Sequence, residues 1–308
     1  MLSQKVKRKL ESFTDLPAIP IVIADVLKEI DNPNFNVKTV STLIEQDQGL
    51  TARILRVANS PLYGLVRKIS TVDLAIVILG ANILKEILIS LLLHRVFRNI
   101  KLESFDIRQF WHYSIFCGAA SRFLARKLNY KLVSEAFVAG LIHDIGILIL
   151  IDKFRNNFNK VRKLQASEGY TIIEAEMHVF ECTHSDVGAW FAERWNFPEQ
   201  IVTALYNHHT PFFIADKIDY EDDFIINPSF KKIEHPLSAI VSLSEWLSFE
   251  CNNKQWDAEN TQPNYYISNE LVFEIVDNDS LTYDSALTII KQSLIDEYEN
   301  AVKVLSFG

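Results

Sequence analysis

The chain has 308 residues, 48% of them hydrophobic and 23% charged, which predicts a large buried core and excludes global disorder. Nine glycines and nine prolines are too few for an architecture of many short strands and tight turns, so long helices with short connections are expected. A formal charge of −8 excludes a broad nucleic-acid surface, which needs clustered Lys and Arg.

Near the start, Lys5, Lys7, Arg8 and Lys9 form a small basic run that reads as a solvated tail. No apolar stretch follows it closely enough for a signal peptide. Pro20 opens a helix whose apolar residues Ile23, Val26, Leu27 and Ile30 recur at helical spacing up to the break at Asp31-Asn32-Pro33. Helices are then expected over 37–46 and 50–58, the latter ended by Asn59-Ser60-Pro61. After a loop around Tyr63-Gly64, Ser70 or Thr71 can cap a helix to Leu79, and another runs from about Asn82 to Phe97. A long helix from Asp106 to Leu128 is apolar around so much of its circumference that most of it must be buried.

Further helices are expected over 132–151, 156–168, 172–181, 185–195 and 199–208, with Thr171 and Glu174 at capping-box spacing. Residues 210–234 read as a linker or long loop, 236–249 as helix, and 251–269 as a polar stretch. Leu287, Ile290, Leu294, Tyr298, Ala301 and Leu305 form a C-terminal amphipathic stripe suited to docking on its own domain or to a homodimer seam. The apolar runs 75–93 and 136–151 do not read as membrane spans: Lys85-Glu86 lies mid-way in the first, and the second is short and holds His143-Asp144. Cys117, Cys182 and Cys251 make no CxxC pair and suit a reducing, cytoplasmic setting.

The histidines carry the chemistry. His143 and Asp144 sit in the middle of an apolar helix, where an unpartnered carboxylate is costly. His184 shares a stripe with Gly188, Phe191 and Trp195, while His208 and His209 follow Ile201 and Leu205 near an inward face. Three helices thus aim imidazoles inward and one adds an aspartate. This set suits Mn, Fe, Co, Ni or Zn, or Mg in a carboxylate-rich variant; the rival is a hydrogen-bonded polar core. As sequence neighbours on one helix, only one of His208 and His209 is expected to face a given ion squarely.

The block Leu141-Ile142-His143-Asp144-Ile145-Gly146 resembles the HD superfamily of metal-dependent phosphohydrolases, and the wider pattern resembles its HD-related output domain (HDOD) branch. The matching blocks are Leu16-Pro17-Ala18-Ile19-Pro20, Ile44-Glu45-Gln46-Asp47, Leu50 to Leu55, Arg56 to Ser60, Ala75 to Gly80, Phe110-Trp111 with Ser114, His184 to Gly188, Trp195 with Phe197-Pro198, and His208-His209. They cover roughly residues 14 to 210.

The resemblance implies an all-α fold: an N-terminal helical subdomain (1–100) packed on an HD-like helical core (101–210), with a linker and extra C-terminal helices (211–308). It also implies bacterial signal transduction, with a protein partner and a small-molecule ligand as candidate contacts. In catalytic relatives a histidine in the helix before the HisAsp block completes the metal site; here Tyr113 holds that register and His112 is displaced by one residue, roughly 100° around a helix. Relatives that cleave cyclic dinucleotides have a lysine where this chain has Ile147, and Gly-Tyr-Pro where it reads Thr210-Pro211-Phe212. Glu245 is a loose candidate for a late acidic ligand. The resemblance therefore points to a regulatory protein with a degenerate site, acting by binding, and away from turnover. The alternative is a metal-dependent phosphohydrolase acting on a nucleotide or phosphate ester.

Overall fold

The structure is a computed structural model that describes residues 21–32, 34–60, 65, 67–103, 105–209, 224–225, 235–251, 265–266, 269–278 and 280–305. It divides into two compact units, Asp15–Asn99 with Glu299–Gly308, and Met1–Thr14 with Ile100–Tyr298.

In the first unit, α1 (Ile21–Ile30), α2 (Val37–Ile44), α3 (Gln48–Ala58) and α4 (Val72–Phe97) bury one face each. Side-chain caps set their starts: the Asn36 carboxamide accepts from the Lys38 and Thr39 amides at 2.8 and 3.3 Å, opening α2. Asp47 accepts from the Leu50 amide at 3.0 Å and starts α3 two residues before the expected Leu50. Asn59 ends α3 and clamps the returning chain, accepting from the Ile69 amide at 2.7 Å and donating to the Ile69 carbonyl at 2.8 Å. The two helices expected between Thr71 and Phe97 are present and meet within α4 at Gly80, whose φ of 74° and ψ of 162° leave the helical path and require the glycine. Pro20, Pro61 and the Tyr63-Gly64 loop lie outside the described residues.

The second unit holds α5 (Ile107–Lys127), α6 (Val133–Ile142), α7 (Ile145–Glu168), α8 (Ile172–Phe180), α9 (His184–Arg194), α10 (Glu199–Asn207), α11 (Pro236–Glu250), α12 (Asn269–Val276) and α13 (Tyr283–Leu305) as far as Tyr298, the last turns of α13 from Glu299 belonging to the first unit. A two-residue parallel pair, β1 (Phe224–Ile225) and β2 (Tyr265–Tyr266), is the one exception to an all-α chain among the described residues. The rest of the expected 210–234 loop and most of the 251–269 stretch lie outside them; α12 follows that stretch and was not foreseen.

Small residues bring α5 and α6 close: a methyl on Gly140 would meet the Ser121 hydroxyl and the Cys117 backbone. Helix α11 is buried from Leu237 to Ser248 despite its serines. Ser244 and Ser248 satisfy their hydroxyls on carbonyls one turn back, at 2.7 and 2.6 Å. The C-terminal stripe docks within the chain: Ile290 and Leu294 are buried, Glu297 accepts from Arg122 and Arg126 at 3.3 and 2.7 Å, and the Tyr298 hydroxyl lies 2.8 Å from His112 Nδ1.

The expected helix over 132–151 is divided differently. Residue 143 keeps helical angles, but Asp144 leaves them (φ −96°, ψ 12°), so α6 ends and α7 begins at the His-Asp pair. The break expected near 152–155 is present within α7 at Phe154, which leaves helical angles (φ −136°, ψ 45°). Two stretches are long and apolar enough to cross a membrane, Val72–Phe97 and Val133–Glu168. In the second, 89% of the apolar window is buried inside the protein, as for a core helix; in the first, 56% is, and Lys85 pairs with Asp31 at 2.7 Å.

Candidate metal centre

Four local devices aim side chains at one point. The α6–α7 junction turns His143 and Asp144 inward, and both are almost fully buried. Gly146, in the first turn of α7, lies against the backbone of α9: a methyl there would collide with the His184 carbonyl. Thr183 caps α9 through a box with Asp186, accepting from its amide at 3.3 Å while Asp186 Oδ2 accepts from the Thr183 amide at 2.8 Å. That places His184 at the first position of the helix. Helix α10 ends at Asn207, and the Ser242 hydroxyl of α11 donates to the His208 carbonyl, pinning the turn that carries His208 and His209. Thr183→Ala is expected to lower stability by about 1 kcal/mol, measured by chemical denaturation.

Asp144 is the hub. Its Oδ1 lies 3.1 Å from His184 Nε2 and 3.4 Å from His208 Nε2, and its Oδ2 lies 3.4 Å from His143 Nε2. His184 Nε2 is also 2.8 Å from His209 Nε2. One donor atom each from Asp144, His184, His208 and His209 falls within 4.8 Å of all the others. Ligand atoms about 2.1 Å from a shared ion stand at most about 4.2 Å apart, so small side-chain adjustments would gather this quartet around one cation.

The hydrogen bonds on the outer side of each ring decide its tautomer. His143 Nδ1 lies 2.8 Å from the Gly140 carbonyl and His208 Nδ1 2.7 Å from the Leu205 carbonyl. A carbonyl can only accept, so both Nδ1 atoms carry hydrogen and, in the neutral rings, both Nε2 atoms carry lone pairs. His184 Nδ1 is held at 2.8 Å by the carboxylate of Glu176, itself fully buried on α8. Asp144 Oδ1 and His208 Nε2 are buried without a hydrogen-bond partner, facing each other. A lone pair opposed to a carboxylate oxygen is reconciled by a cation between them. The three-imidazole, one-carboxylate set fits a divalent transition metal such as Zn, Fe, Co, Ni or Mn better than Mg.

Ionisation follows from the same contacts. Burial pushes His184 down, but Glu176 and Asp144 outweigh it and raise its pKa to about 10. Burial likewise works against the Asp144 carboxylate, yet His143 and His184 outweigh it and hold the group well below the usual carboxylate range. For His208 and His209 burial prevails and keeps both rings neutral, with the His208 ring pushing His209 down further. Among the four residues of the quartet His209 is the exposed one, its side chain 25% exposed among the described residues.

The five residues expected at the site are thus brought together, with two differences in detail. His208 and His209 both join the quartet, although His208 keeps helical angles (φ −65°, ψ −21°). His143 stands beside it, its Nε2 taken up by the Tyr113 hydroxyl at 2.9 Å. His112 points elsewhere, to Tyr298. Glu245 is buried on α11 with Oε2 3.7 Å from His209 Nδ1. Sequence reading missed Glu176, although an acid amid Ile172, Ala175 and Phe180 carries the same signal that marks Asp144.

A family model for the HDOD domain matches residues 16–211, which span both the caps of the first unit and the whole histidine cluster. The chain belongs to the HDOD family. Among solved structures, an HDOD domain protein of unknown function from Geobacter sulfurreducens is similar over 98% of this chain and 100% of its own, with 21% identity and a TM-score of 0.69. A candidate phosphohydrolase from Shewanella amazonensis SB2B aligns over 98% and 97% with 20% identity and a TM-score of 0.68. A candidate signal transduction protein from Marinobacter aquaeolei VT8 aligns over 98% of this chain and 61% of its own, with 19% identity and a TM-score of 0.68. At these identities the likeness establishes the HDOD fold. An uncharacterized protein of Treponema pallidum (strain Nichols) is 24% identical over 200 residues, 65% of this chain; the chain spans 38% of that relative's length.

Proposed function

We propose that this HDOD chain is a cytoplasmic regulatory module whose Asp144, His184, His208 and His209 hold one divalent transition-metal ion, and that it acts by binding a protein partner without turning over a substrate. The observation that carries the metal is the convergence of Nε2 atoms on Asp144 Oδ1 with their Nδ1 atoms fixed from behind. The surroundings favour binding over hydrolysis. Among the described residues, the charged groups acting on the quartet besides the histidines are the acids Glu176 and Glu245, which repel a phosphate ester. The Tyr113 hydroxyl meets His143, so that imidazole is committed to the protein. The fold shared with a candidate signal transduction protein is consistent with this reading.

Hydrolysis of a phosphate ester is the second reading. It is favoured by the exposure of His209, which leaves solvent access on one side, and by the fold shared with a candidate phosphohydrolase. A bound ion would supply Lewis acidity there; the chain itself would hold it through the quartet and shield it through burial.

The test is elemental analysis of protein purified without added metal, followed by an assay of the Mn- and Fe-loaded chain on phosphomonoesters, phosphodiesters and cyclic dinucleotides. About one equivalent of metal and no hydrolysis is the expected result. Hydrolysis above the metal-only blank would establish the second reading. No metal before or after loading would leave a hydrogen-bonded polar core.

A further inference from the structure

Glu176 is buried completely, and one oxygen of its carboxylate makes two bonds to the same residue. Oε2 accepts from the backbone amide of His184 at 2.8 Å and from its ring Nδ1 at 2.8 Å. The other oxygen, Oε1, is buried without a hydrogen-bond partner. Capping explains only the first of these bonds: the Thr183–Asp186 box leaves the His184 amide to donate to Glu176, but it gives no reason for the bond to the ring. Nor does packing, for which an apolar residue in the stripe of Ile172, Ala175 and Phe180 would serve at lower cost. The carboxylate reaches His184 across the α8–α9 turn, where Glu181 adopts a left-handed φ of 57°. Backbone and ring of a single residue are thereby fixed together.

We infer that Glu176 is a positioning residue for the metal centre: it fixes the tautomer and orientation of His184, strengthens Nε2 as a donor, and places a negative charge behind that ligand. The inference rests on the metal reading above and deepens it. An imidazole whose Nδ1–H is held by a carboxylate is oriented before an ion arrives and is a better ligand, and loss of such support costs roughly 10- to 100-fold in affinity. The effect is graded. Glu176→Gln keeps the shape and an acceptor while removing the charge, and should weaken binding about tenfold. Glu176→Ala also frees the ring and should weaken it about 100-fold.

The experiment is a chelator-competition titration of the full chain with Zn2+ and with Co2+, comparing wild type, Glu176→Gln and Glu176→Ala. The visible spectrum of the Co2+ form and the thermal midpoint of the metal-free form are recorded beside it. The expected result is the graded loss of affinity, with an altered Co2+ spectrum in Glu176→Gln at a nearly unchanged metal-free midpoint. If wild type binds both ions and the two variants match it within about twofold, with unchanged spectra, this inference is overturned and the metal reading stands. A variant that only lowers the metal-free midpoint has the same meaning, because a purely structural role moves stability and not the affinity of the folded protein. If wild type binds neither ion, the metal reading falls and this inference falls with it. Should Glu176→Ala not fold, the isosteric Glu176→Gln decides alone.

Discussion

Gly146→Ala is expected to destabilise the HDOD core by about 3 kcal/mol or more, while Gly188→Ala, across the same helix contact, changes stability by less than about 1 kcal/mol. At Gly146 a methyl would meet the carbonyl oxygen and carbon of His184 and the amide of Gly188, all backbone atoms that no side-chain rotation can move. The first turns of α7 and α9 would have to separate, and those turns carry Asp144 and His184. At Gly188 the nearest atoms to an added methyl are 3.6–3.7 Å away, ordinary contact distance. There alanine gains helix propensity within α9, roughly offsetting any minor adjustment. Chemical denaturation of the two variants separates the effects. Equal midpoints would show that α7 and α9 are not packed as closely as their backbones indicate.

The contrast also shows how much of the architecture the sequence exposes. Apolar spacing located nearly every helix, because burial of one face is written into the residues themselves: Ile23, Val26 and Ile30 are buried on α1, as are Leu287, Ile290 and Leu294 on α13. Boundaries were less legible where a side chain competes with the helix pattern. Asp47 starts α3 early because its carboxylate reaches the Leu50 amide, and Thr183 starts α9 at His184 for the same kind of reason. The break at the His-Asp pair had no signal in hydropathy, since apolar residues run straight through it; it follows from tertiary contacts of Asp144 and Gly146.

The site was legible as a set of misplaced polar residues, but its geometry was not. Helical periodicity assigns His208 and His209 to different directions, yet a donor atom of each reaches the quartet. It says nothing of which ring nitrogen is committed, and that commitment decides the donor set. Gly140 and Leu205 fix rings through backbone carbonyls, a role no residue type announces. Glu176 could have been found from its place in an apolar stripe, as Asp144 was.

Asp144→Ala should abolish the centre and destabilise the protein together, whereas Tyr113→Phe should do neither to a comparable extent. Asp144 offers one oxygen to His184 and His208 and the other to His143, so its removal leaves three buried imidazoles without their common anion. Breaking a buried charge cluster from one side costs roughly 3–5 kcal/mol. Metal content should fall from about one equivalent to below about a tenth, since three neutral or mutually repelling rings replace a charged quartet. The Tyr113 hydroxyl meets His143 Nε2 at 2.9 Å, and His143 is not a member of the quartet. Losing that hydroxyl leaves one buried acceptor unpaired, a cost of about 1–3 kcal/mol, and should leave metal content at the wild-type level. Elemental analysis and denaturation of both variants read the two quantities separately. Retention of metal by Asp144→Ala would place the ion elsewhere, and loss of metal in Tyr113→Phe would make the Tyr113–His143 pair part of its coordination.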